Sequence, residues 1–277
     1  MPEISTDSPE EGFVISRQGA ANDAWYVGRA GMQYRDLIPG RLGGRFIASH
    51  IRIPDGGETP DYVHYHKALF QMIYCKEGWA RLVYEDQGPP FALEAGDCVL
   101  QPPEIRHRVL ESSAGLEVIE VACPAEYETC ADHEMRLPTP EVLPERLFGG
   151  QRFALHRARE ASWGPWRLDG FVARDTGVAA ATKGLAEARV VKSKSAITAT
   201  DGGRAGGLLF LFILQGALWI DGRGQRNHQL LAGASCVIPE RMGYTLRAGA
   251  GLEMLEVCLS DELSLSSSYQ PKAYPRP

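Results

Sequence analysis

This chain lacks a long hydrophobic run, an excess of basic residues and any close pair of cysteines. Its longest apolar stretch, Leu208 to Leu214, falls far short of the roughly 20 residues that a membrane-spanning helix needs. A formal net charge of −6, with no block of like charges, argues against a nucleic-acid partner, because neutralising phosphates takes clustered Lys and Arg. Met1 to Gly12 is polar and acidic without an apolar core. Neither a signal peptide nor a transit sequence is therefore expected there, and cytoplasmic residence is the expectation. Cys75, Cys98, Cys123, Cys130, Cys236 and Cys258 form no C-x-x-C pair. Cys75, Cys98, Cys236 and Cys258 lie in apolar, strand-like runs and read as reduced core residues rather than disulfide partners or zinc ligands. No long helical period appears either. What remains is an ordinary globular composition, 44% hydrophobic and 23% charged over 277 residues, with ample core for one large or two ordinary domains.

The apolar residues come in short stretches bounded by Gly, Pro, Asp and Ser, which reads as β-structure. Phe46–Ile53, Phe70–Tyr74, Ala80–Tyr84, Cys98–Leu100 and Val118–Val121 have counterparts in Leu208–Leu214, Ala217–Ile220, Cys236–Ile238 and Met254–Leu259. The chain also repeats itself. Gly115–Val121 (GLEVIEV) recurs as Gly251–Val257 (GLEMLEV), Ala95–Gly96 to Pro102 recurs as Ala232–Gly233 to Pro239, and Arg35–Asp36 recurs as Arg174–Asp175. These ordered matches, 136 to 139 residues apart, indicate an internal duplication. Pro138 to Pro144 reads as the linker, and the Ser- and Pro-rich Ser260–Pro277 is expected to trail over the surface.

Among the seven histidines, His64 and His66 stand two apart, a spacing that puts both imidazoles on one face of a strand. Imidazole suits zinc, copper, iron and nickel, and a third ligand from a distant strand would fix the ion. Four residues separate His66 from Gln71, and six separate Gln71 from Gly78; later five residues separate Gly96 from Pro102, and His107 follows. These spacings resemble the paired signatures of the cupin superfamily, H-x-H-x(3,4)-E-x6-G and G-x5-P-x-G-x2-H. Gln71 stands where the family usually has Glu, and Glu104 where its second motif has Gly. The first motif's opening Gly is also one residue out of step, with six residues between Gly57 and His64. His50, His133, His156 and His228 have no such frame and read as structural or surface residues.

The resemblance to a bicupin implies an all-β chain of two tandem cupin barrels (double-stranded β-helix, or jelly roll). The expected spans are an arm at 1–29, a metal-binding barrel at 30–137, a linker at 138–149, a second barrel at 150–260 and a tail at 261–277. Aligning the turn glycines carries His64, His66, Gln71 and His107 onto Gly202, Arg204, Leu209 and Tyr244. The second copy is thus expected to have lost its metal and to serve structure or dimerisation; a small anion pocket using Arg204 and Tyr244 is the alternative. Cupins often pair through N-terminal strands, so the resemblance also implies a homodimer.

The expected site is one divalent ion per chain held by His64, His66, His107 and, on or beside the metal, Gln71. Iron(II) is favoured, with zinc, nickel, manganese or copper as alternatives. Period-2 alternation places Ile73, Cys75 and Val109 as an apolar lining, which suits a small organic substrate. Such a three-His site resembles those of cupin dioxygenases acting on aromatic, diketone or thiol compounds. An isomerase or lyase using the ion as a Lewis acid, and a non-catalytic small-molecule-binding cupin, are the alternatives.

Overall fold

The computed structural model describes residues 13–19, 24–28, 31–203, 207–222 and 225–266. The arm before residue 13, Arg204 and the tail beyond 266 lie outside the described residues. The chain is all-β in architecture, and every pairing between its strands is antiparallel. In the first half a seven-stranded sheet runs in the order Ala154–His156, Cys98–Leu100, Phe70–Glu77, Leu116–Cys123, Ile47–Ile53, Gln33–Asp36, Tyr26–Val27. A six-stranded sheet, with Thr129–Ala131, His64–His66, His107–Ser112, Trp79–Tyr84 and Phe91–Glu94 in order and Gly57–Glu58 beside His107–Ser112, accompanies it. The second half repeats the plan. Its seven-stranded sheet holds Leu208–Gln215 and Glu253–Leu259 at its centre, and its four-stranded sheet runs Ile197–Asp201, Tyr244–Ala248, Ala217–Gly222, Gln225–Leu231.

The two-residue strand period divides the core into three clusters. From Phe70–Glu77, one face gives Phe70, Met72 and Tyr74 to a central cluster, while Cys75 and Ile73 from the other pack within the first half. Leu208–Gln215 does the same: Leu208, Phe210 and Phe212 join the central cluster, and Leu209, Leu211 and Ile213 pack inside the second half. The central cluster therefore belongs to both halves and glues the two seven-stranded sheets together. Phe210 and Phe212 are fully buried there, each worth roughly 1.5–3 kcal/mol of hydrophobic stabilisation.

Two strands cross the expected division of the chain. Val14–Ser16, in the expected arm, pairs with Ser235–Ile238 of the second half, whereas Ala154–His156, from the span expected to form the second barrel, pairs with Cys98–Leu100 of the first. The exchange is reciprocal, and the N-terminal strand expected to reach a second protomer is paired within its own chain. The expected linker also packs on the first half, where Phe148 enters the apolar cluster. The repeated Arg and Gly have matching roles. Buried Arg35 donates from Nη2 to the Gly233 carbonyl at 2.5 Å, and Arg174 from Nη2 to the Gly96 carbonyl at 3.3 Å. Gly96 and Gly233, at φ 91° and 84°, hold turns that a side chain would strain. The start of the tail departs from expectation. Asp261–Ser266 is a short helix whose Leu263 is buried in the central cluster, because that leucine finds apolar contact there instead of solvent.

Candidate metal centre

The residues singled out by spacing converge. His64 and His107 are direct cross-strand partners, and His66 follows two residues along the same strand. Ring centroids lie 4.3 Å apart for His64–His107, 5.0 Å for His64–His66 and 5.1 Å for His66–His107. One ligand nitrogen from each falls within 4.8 Å of the others. His64 and His107 are buried and His66 is half-buried.

The other ring nitrogen of each is held by the protein. His64 Nδ1 donates to the Tyr62 carbonyl at 2.8 Å and His107 Nδ1 to the Ile105 carbonyl at 3.0 Å, while His66 Nδ1 meets Thr129 Oγ1 at 2.9 Å. A carbonyl can only accept, so the Nδ1–H tautomer is fixed at His64 and His107, and Nε2 becomes the ligand atom. Asp61 adds a carboxylate 3.6 Å from His64 Nδ1 and is pinned by the backbone N–H groups of Tyr62 and Val109. Three oriented imidazoles with such supports fit a divalent ion of the zinc, iron, copper or nickel type.

Gln71 lines the same cavity, of about 250 Å³, as do Ile73 and Val109. Its orientation follows from its partners. Its Nε2 donates to Glu120 Oε1 at 2.5 Å, and its Oε1 accepts from Gln101 Nε2 at 3.2 Å. Gln101 Nε2 also lies 3.2 Å from His107 Nε2, and Gln101 Oε1 accepts from the Tyr84 hydroxyl at 2.9 Å. The amide oxygen of Gln71 is thus turned toward the triad's side of the network. Tyr127 donates to Glu120 Oε1 at 2.7 Å, and burial, with Glu120 beside it, pushes its phenol well above the usual range. It is a proton-bearing donor at neutral pH. Cys75, expected in the lining, is not there. It is fully buried among apolar residues, its Sγ directed at the Glu77 and Gly78 carbonyls, and burial pushes its thiol up to about 12. All six cysteines are free.

Spacing alone did not single out Glu120, Gln101, Tyr127 or Asp61. Glu120 carried a signal, since the duplicated GLEVIEV string places it in phase with Val118 on the inward face of its strand.

Among its described residues the second half holds no such triad. Tyr244 pairs with Asp201 as His107 pairs with His64, so Asp201 and not Gly202 is the counterpart of His64. The offset arises because Asp201 stands one residue further from its turn glycine, Gly216, than His64 does from Gly78. Leu209 lies in the apolar core. The cation at this place is Arg167. Its Nη1 donates to Glu256 Oε2 at 2.7 Å, its Nη2 to the Tyr244 hydroxyl at 2.5 Å and its Nε to Asp201 Oδ2 at 3.1 Å. Glu256, the duplicate of Glu120, also accepts from Trp166 Nε1 at 3.1 Å. Burial opposes the guanidinium's charge, but Glu256 and Tyr244 outweigh it and raise the arginine's pKa.

Residues 49–121, which include all three triad histidines, match the model of the cupin domain. No curated protein matches the sequence. Three solved structures share the fold across most of the chain. The oxalate decarboxylase of Lactobacillus farciminis, in a formate complex, is 14% identical with a TM-score of 0.62, over 87% of this chain and 84% of that one. The salicylate 1,2-dioxygenase of Pseudaminobacter salicylatoxidans is 16% identical with a TM-score of 0.60, over 84% and 77%. Procruciferin, an 11S globulin of Brassica napus, is 9% identical with a TM-score of 0.65, over 90% and 84%. The likeness is one of fold, which carries enzymes and a globulin alike. No helix among the described residues is long and apolar enough to cross a membrane.

Proposed function

We propose that this protein is a metal-dependent enzyme of two jelly-roll barrels, most economically an Fe(II) dioxygenase acting on a small organic molecule. The reading rests on one observation: three imidazoles, two with their tautomer fixed by backbone carbonyls, converge on a small cavity walled partly by apolar side chains. His64, His66 and His107 hold the ion. Gln71 presents its amide oxygen as a fourth, weaker ligand or to a ligand of the metal. Bound there, the ion supplies Lewis acidity and, as Fe(II), the redox chemistry that O₂ requires. The chain's own residues orient the substrate: Ile73 and Val109 exclude water, while Glu120, which the Tyr127 hydroxyl donates to, offers an acceptor beside the triad. That carboxylate also supports a second reading, an isomerase or lyase in which protons move without O₂. The free thiols suit a reducing, cytoplasmic compartment.

Metal analysis tests the site. One ion per chain is expected after reconstitution, and His107→Ala should lose it while the protein stays folded by circular dichroism. Two tightly held ions, or none, would refute the assignment. O₂ uptake by the Fe(II)-loaded protein across a small-molecule panel separates the readings, since full anaerobic turnover with zinc would select the isomerase or lyase.

A further inference from the structure

Besides the three histidines, the described residues lining the cavity include two carboxylates and no lysine or arginine. Asp61 is committed to two backbone N–H groups and lies close to His64. Glu120 differs. Its Oε1 takes both Gln71 and Tyr127, while Oε2 has no hydrogen-bond partner among the described residues. The nearby Arg41, whose field reaches Tyr127, is paired with Asp36 at 3.2 Å and does not line the cavity.

From this we infer that the site selects a neutral or cationic small molecule carrying an O–H or N–H donor for Glu120 Oε2, and discriminates against carboxylates. The inference deepens the proposed metalloenzyme reading and rests on it for the cavity's role. Two carboxylates offset the two positive charges of a divalent ion, so an incoming anion meets no net attractive field and approaches Glu120 directly. A carboxylate placed against that acceptor also finds no donor for its lone pairs. A hydroxyl or ammonium group donates to it instead, and an ammonium gains charge assistance. Volume adds a second filter. At about 250 Å³ the cavity is small for a ligand site, which suits a molecule about the size of one substituted ring. Ile73, Val109 and Leu82 supply the apolar wall against which such a ring would lie. Oxalate and salicylate, the compounds for which two of the structural neighbours are named, are both carboxylates and fall in the excluded class.

The test uses benzyl alcohol, benzylamine and benzoate as probes, measured by isothermal titration calorimetry and competition NMR on the whole chain, metal-free and zinc-loaded. Benzyl alcohol and benzylamine should bind at least roughly tenfold tighter than benzoate, a difference of about 1.4 kcal/mol. Glu120→Gln should weaken benzylamine by a similar factor and narrow or reverse the gap to benzoate, while Glu120→Asp, which keeps the charge, should keep the order. Benzoate equal to or tighter than benzyl alcohol in the wild type would overturn the inference, and so would the absence of binding by any probe at millimolar concentration. The metal-free arm separates the two proposals. If the order holds there while no ion can be loaded, the metalloenzyme reading fails and the selectivity stands; if metal loads but the order is reversed, only the selectivity fails.

Discussion

Which way the Gln71 amide faces is decided by its neighbours. A carboxylate accepts and does not donate, so Glu120 draws the Gln71 NH₂ and leaves the carbonyl oxygen toward Gln101 and His107. Gln71→Glu therefore does two things at once. It replaces the amide by a carboxylate, a stronger ligand for a divalent cation, in the cavity that the triad lines, and it sets that charge against Glu120 at the place of a 2.5 Å hydrogen bond. Metal-free Gln71→Glu should melt below the metal-free wild type, and saturating zinc should raise its melting temperature by more than it raises the wild type's. Thermal melts with and without zinc decide the point; equal metal-induced shifts would place Gln71 outside the ion's reach. The H-x-H pair and His107 were legible in the sequence because strand period and turn spacing are local rules. Glu120 was legible only in part, since its face follows from alternation but its partnership with Gln71 depends on the register between two strands. Tyr127 and Asp61 come from loops, where no period points to them.

Within the second half, an arginine-centred network stands where the first half places its triad. The paired strands Ile197–Asp201 and Tyr244–Ala248 still bring two side chains face to face, and Glu253–Leu259 still supplies a carboxylate behind them. A guanidinium from the segment before Phe171–Asp175 binds all three groups. The turns and strands of the duplicate were readable by alignment, but Arg167 was not. It has no counterpart among the triad residues and comes from a segment distant in sequence from the strands it joins. Removing it leaves Glu256, only 1% exposed, without its cation. Because the arginine itself is partly exposed, at 24%, the loss should sit toward the lower end of the range for broken buried pairs, about 3 kcal/mol. Arg167→Met should thus lower stability in urea by that amount, while Arg167→Met combined with Glu256→Gln should recover part of it. A single variant as stable as the wild type would show that the network contributes no net stability. Metal content of the first half should be unchanged in both.

At the scale of the whole molecule, the duplication has become one folding unit. The β-rich halves and their repeats were visible as ordered strings, but the strings could not say that the halves exchange strands. That exchange depends on which sheet edge lies nearest in space. Val14–Ser16 closes the edge at Ser235–Ile238, and Ala154–His156 closes the one at Cys98–Leu100, so each half covers hydrogen-bonding groups that the other would leave open. One face of each seven-stranded sheet is buried against the other, with Phe70, Met72, Phe210, Phe212, Ile119 and Val257 in one cluster. Arg35 and Arg174 reach across to the turns at Gly233 and Gly96. Separating the halves would expose this cluster to water and strip both strand edges, so neither half has a native state of comparable stability by itself. Thermal unfolding of the metal-free chain should then be a single transition, with calorimetric and van't Hoff enthalpies equal within error. Two resolved transitions would mean that the halves fold independently despite the exchange. Truncation before Gln18 sharpens the test: it opens the Ser235–Ile238 edge in the second half, yet it should lower the melting temperature reported by probes in both halves together, because the central cluster couples them.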